Sequence, residues 1–311
     1  MSAHSPREEK EESDDWVFLM GRPPMGAALT FIRESSAGGD VDLSRLSGEW
    51  RAANAHLRRL EKAEEGMADD PPVADLPEAL KPLEMKVLDD PVFRSAYFMV
   101  PSRIAMVELD RLVVFQKHIN LDFVRMVKEA LGPHPSEEEV FRACLPYDHP
   151  MPQFSSGRIS QNGFTFISPS TDLRFLDATI LAPEQVSGLS PPGPVAAVIG
   201  LVVGFGSNFL NAVHVERRMV LNNGSHRAYA LREMGIRKVP CIVQEASDRE
   251  ELASLVAPEV FSQADRLLAA PRPPLLKDYF DPALRKLFKG KRKARQVRLS
   301  FDVEQLDLPA R

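Results

Sequence analysis

The chain is poor in cysteine, with only Cys144 and Cys241, far apart and outside any CxxC pair. That excludes a disulfide framework and a cysteine-rich zinc site, and it fits a reducing compartment. Long apolar runs are missing too. The most apolar stretch, 195–205, is interrupted by glycine and falls short of the roughly 18 to 20 residues of a membrane helix, so it reads as a buried strand. The opening MSAHSPREEKEESDDW has no apolar core of the kind a secretory signal needs, so the chain is read as cytoplasmic. Positive charge is not in excess either. A net charge of −5 and a pI near 5.9 exclude coating of nucleic acid through the overall field and leave only local patches. What is present, 44% hydrophobic and 27% charged residues, is the balance of a globular protein. The 311 residues suffice for two domains or one domain with substantial insertions.

Residues 1–15 read as a disordered acidic lead, because the charge run offers nothing to bury. A helical and proline-rich extension, 16–94, follows. Within it WRAANAHLRRLEKAEE sets Ala53, Leu57 and Leu60 at helical spacing, and the proline-rich 68–91 resists regular structure. RIAMVELDRLVVF predicts a strand, a turn and a second extended piece. Asn120 is the expected N-cap of LDFVRMVKEAL, whose Phe123, Val124, Val127 and Leu131 share a face and whose stop is Gly132-Pro133. Ten prolines and several Ser/Gly clusters across 133–194 predict an irregular insertion with short strands such as FTFI. A lid and a plain surface excursion both fit it. The final part, 251–311, reads as a helical and basic extension that ends in a strand within VRLSFDVEQLDL.

The chemistry concentrates in RRMVLNNGSHRAYALREMGIRKVPCIV, residues 217–243. Met219, Val220 and Leu221 make a short apolar strand, and Asn222-Asn223-Gly224 is a turn that tolerates positive φ. Ser225 is the expected cap of the next helix, with Ala228, Tyr229, Leu231 and Met234 on its buried face. Gly235 ends that helix in the left-handed region, and KVPCIV returns as a strand. A helix starting on Gly224 presents free N–H groups and a positive dipole end, which is what a phosphate needs. His226 and Arg227 on the first turn oppose that dipole unless an anion is bound there. A solvated surface turn is the other reading of the same residues.

The string NNGSHRAYALREMGIRKVPCIV resembles the signature of the ParB/sulfiredoxin superfamily, in which a strand ends in a glycine turn with basic residues, an alanine-rich helix follows, and a Val-Pro strand closes the unit. VELDRLVVFQKHINLDFVRMVKEAL is similar to that family's first strand, its Leu-x-x-x-Gln turn and first helix. Together the two matches cover about sixty residues. The resemblance implies an α+β fold with a small mixed sheet and short helices over 95–250, carrying the 133–194 insertion. It also implies nucleotide phosphates (CTP, ATP or ADP, with Mg²⁺) held by Asn223, Gly224, Ser225, His226 and Arg227, and faced by Gln116 and His118. Three departures narrow the chemistry. Ser225 stands where sulfiredoxins carry cysteine, and a hydroxyl cannot form the thiosulfinate that sulfinic acid repair requires. Gln116 and Asn223 are amides where the free-serine kinase branch uses acids, so neither is a carboxylate base. Ser225 and His226 also break the Gly-Glu-Arg-Arg turn of the ParB branch. The expectation is a nucleotide switch or a slow phosphohydrolase or phosphotransferase.

Outside this segment, RKLFKGKRKARQVR (285–298) holds eight basic residues and no acid, which suits phosphate contacts on nucleic acid or a solvated basic edge. A nucleic-acid-associated protein, or a ParB-like nuclease, working through this run is the alternative function. His134, Cys144, Asp148 and His149 match no standard metal spacing, and neither GxGxxG nor GxxxxGK[ST] occurs.

Overall fold

The computed structural model describes residues 13–38, 41–188 and 193–307. In chain order the strands are β1 (Ser13–Leu19), β2 (Val73–Ala74), β3 (Ser102–Glu108), β4 (His118–Asn120), β5 (Ser155–Ser160), β6 (Gly163–Ser168), β7 (Leu173–Leu181), β8 (Val198–Phe205), β9 (Asn211–Val215), β10 (Arg218–Asn223), β11 (Lys238–Glu245), β12 (Arg285–Lys291) and β13 (Arg295–Ser300). Short helices separate several of them, so the fold is α+β.

The chain divides into two units, one holding everything up to Asp148 together with Phe209–Arg292, the other His149–Asn208 and the residues from Lys293 onward. The first unit is built on a mixed sheet of order β10-β9-β11-β3-β2. Its β9–β10 hairpin turns on Glu216 and Arg217, both at positive φ, the backbone that a two-residue hairpin loop uses to match strand twist. Helix Ser225–Glu233 then carries the chain across, β11 lies parallel to β9, and β11 is antiparallel to β3. Residues on β10 and β9 alternate between two cores. Ala212, Met219 and Leu221 join Tyr229, Leu231 and Phe141 on one face, whereas Val213, Val215 and Val220 join Leu252, Val256 and Leu268 on the other. A smaller sheet, β12-β1-β4, sits over a third core of Phe18, Met20, Ile32, Leu46 and Ala53.

Several expectations give way here. The acidic lead ends early: residues 1–12 lie outside the described residues, and Ser13 to Asp15 already pair with β12. The helix expected from Trp50 begins at Leu43, where the side chain of Asp42 accepts from the Arg45 N–H. The proline-rich 68–91 is more ordered than its composition suggests, because Pro82 falls in the first turn of helix Lys81–Leu88, where a missing N–H costs nothing. The 133–194 segment holds the expected FTFI strand, in β6, and its described residues are more regular than expected. It opens with helix Glu137–Cys144 behind a Ser136/Glu139 capping box, and its remainder builds most of the second unit, in which β13-β6-β5 form one sheet and β7-β8 a hairpin. The run read as a buried strand is a strand but not buried: in β8, Ile199 is 67% and Leu201 45% exposed. A two-stranded ribbon has no second layer of its own to cover it.

The basic run is also divided. Arg285 to Lys291 lie in β12 of the first unit, and Arg295 and Arg298 in β13 of the second. Among the described residues, no helix is long and apolar enough to cross a membrane.

Candidate phosphate-binding turn

Strand β10 delivers the chain to Asn223, whose Nδ2 donates to the Phe209 carbonyl at 3.0 Å, while Nδ2 of Asn222 donates to the Leu255 carbonyl at 3.2 Å. Both amides of the turn therefore hold backbone in place. Gly224 is required twice over: its φ is +94°, and a Cβ there would stand 2.4 Å from Cδ1 of Leu210. The helix runs Ser225–Glu233, and Gly235 follows at φ +87°, the expected left-handed end. Ser225 does not cap it. Gly224 occupies the cap position, Ser225 is the buried first helical residue, and no side chain caps this end. The first intrahelical bond runs from the Ala228 N–H to the Gly224 carbonyl, so the amides of the first turn point toward the helix start.

Arg227, expected to hold phosphate, has its Nη1 turned to partners within the chain. It is buried, and its Nη1 donates to the carbonyls of Ala143 and Cys144 at 3.0 and 3.1 Å. These carbonyls end helix Glu137–Cys144, where a cation complements both the unpaired C=O groups and the dipole. Arg227 thus locks two helices together. Its Nη2 lies near Gly224, 3.4 Å from where a Cβ would be.

His226 is half-buried, and burial first, then the charges of His118 and Arg227, lower its pKa to about 4. The ring is neutral at physiological pH. Its Nε2 accepts the Asn120 N–H at 3.1 Å, which leaves the ring proton on Nδ1, and the ring meets Phe123 edge-on at 5.2 Å. Asn120 is thereby a cap of its own helix, Leu121–Leu131, and a partner of His226; the sequence signalled only the first role. His118 of the first motif does come near this place, stacked on Trp16 at 4.6 Å. Gln116 lines a different cavity, whose walls include none of residues 223–227.

Two helix starts therefore meet at His226, and they are not alike. Asn120 Oδ1 accepts from the N–H groups of Asp122 and Phe123, and Asp122 adds a carboxylate to that first turn. The Ser225 helix has neither a cap nor an acid in its first turn. Nearby, burial pushes the Cys144 thiol up to about 12 and that of Cys241 further still, so both thiols are inert packing groups. Among the described residues no group of three or more His, Cys, Asp or Glu is arranged to hold a metal ion. No family model, no curated protein and no solved structure matches the chain.

Proposed function

We propose that the protein is a cytoplasmic nucleotide-binding protein of the ParB/sulfiredoxin kind. In this reading CTP, ATP or ADP sets its phosphates against the turn at Gly224 and the backbone N–H groups opening helix Ser225–Glu233. The observation that carries it is the uncapped, acid-free start of this helix beside a capped, acid-bearing neighbour. The Nδ1–H of neutral His226 is a further donor at the same end. The order strand, glycine turn, helix, Val-Pro strand supports the family reading, and β9 beside β11 gives it a sheet to stand on. Arg227 also plays a part its family position does not suggest: through Nη1 it ties the turn to the end of helix Glu137–Cys144. Mg²⁺ would arrive on the phosphate oxygens, since this ion keeps much of its water shell and needs few protein ligands. The turn itself, 222–227, carries no carboxylate, so a binding switch fits better than fast phosphoryl transfer.

Calorimetry of the full chain against CTP, ATP, ADP and GTP with Mg²⁺ tests this. One nucleotide should bind saturably at one site, and His226→Asp should weaken it by at least about tenfold, because an aspartate at the second helical position takes up the same N–H groups and repels phosphate. The aspartate still offers Asn120 an acceptor, so the fold should hold. Absence of nucleotide binding, or equal affinity in the variant, would sink the reading.

A further inference from the structure

A second place in the first unit is built for an anion. An open recess with a cavity volume of about 20 Å³ is lined by Arg22, Lys117, Arg266, Gln116, Gln263 and Phe115 among others, and no acidic residue lines it. Three chain segments, distant in sequence, bring these cations together.

The positive charge is answered only by shared carboxylates: Glu61 acts on both Arg22 and Arg266. Arg22 is almost fully buried; its Nη1 donates to the Arg272 carbonyl at 3.1 Å and its Nη2 to the Pro273 carbonyl at 2.9 Å. Its one carboxylate contact, Asp278 at 3.3 Å, is already held at 2.6 and 2.9 Å by Arg272, and the Arg22 Nε is buried with no partner. One carboxylate thus serves two guanidinium groups. Arg266 is half-buried, and among the described residues no hydrogen bond or ion pair holds its guanidinium. Burial lowers the pKa of Arg22 to about 10 against the opposing pull of Asp278 and Glu61, and lowers that of Arg266 against the pull of Glu61. Desolvated charge that is only partly compensated is costly.

We propose that this cavity binds a phosphate-type dianion, either free phosphate or the phosphate of a small monoester. Cations brought to one recess by three separate chain segments suit a tetrahedral oxyanion that accepts from several directions better than a planar carboxylate, which is satisfied by one fork. Phe115 offers an apolar wall to whatever the phosphate is attached to. This site does not depend on the Gly224 reading, since the two share no residue.

Calorimetry of the full chain with inorganic phosphate, phenyl phosphate and acetate at matched ionic strength tests the proposal. Saturable binding of at least one phosphate species, with no saturable heat from acetate, is expected. The tighter of the two phosphate ligands then identifies the source as free anion or monoester. Arg266→Gln and Lys117→Gln should each weaken binding by about tenfold, the value of one charge-assisted contact, while thermal melting confirms that the variants fold. His226→Asp should leave phosphate binding here unchanged. Phosphate behaving like acetate, unaltered affinity in Arg266→Gln, or loss of binding in His226→Asp would each overturn it.

Discussion

Arg227 and Arg22 are both arginines taken out of water, and the protein treats them in opposite ways. Arg227 ends on two carbonyls that a helix terminus leaves unpaired, so its charge and their dipoles cancel within the chain. Arg22 shares one carboxylate with Arg272 and lines one recess with Arg266 and Lys117. The difference teaches that burial of a basic residue does not by itself mark a site. What marks one is the part of the charge that the protein leaves unanswered.

The largest test of the contrast is Arg227→Ala. Removing this guanidinium leaves the Ala143 and Cys144 carbonyls without it and opens space beneath the turn, so urea unfolding should show a loss of about 3 to 5 kcal/mol. A loss under about 1 kcal/mol would mean that these contacts do not hold the turn.

Acid probes the same region next. The pKa of His226 falls from 6.5 in the unfolded chain to about 4 in the fold, so the unfolded state takes up the proton first. The stability from keeping the ring neutral is complete above pH 6.5 and is lost as pH falls toward about 4, up to about 3 kcal/mol. His226→Asn should flatten that part of the stability–pH curve. A curve of unchanged shape would mean that the ring titrates freely.

The smallest expected effect sharpens the other side of the comparison. Without phosphate, Arg266→Gln should move stability by no more than about 0.5 kcal/mol, since no intramolecular bond is lost. A large loss would show that Arg266 answers a partner within the chain.

Along 217–243 the order of strand, glycine turn, helix and strand was legible, because each signal there is local. Gly224 and Gly235 take positive φ, and the apolar triplet at 219–221 alternates between two cores. Asn120 was legible as a cap for the same reason. The Ser136/Glu139 box was equally local, yet the surrounding prolines concealed it. The exposure of β8 was not legible, because an apolar run reads the same whether or not a second layer covers it.

By itself, then, the sequence determined where strands and helices begin and end in the central segment, since glycine conformations and caps act within a few residues. Only the tertiary structure decided what its charges do. The partners of Arg227 lie 84 and 83 residues away, and the carboxylate of Arg22 lies 256 away. The basic run, continuous in sequence, is parted between β12 and β13. Desolvation and pairing depend on which distant groups packing brings together, and no local pattern carries that information.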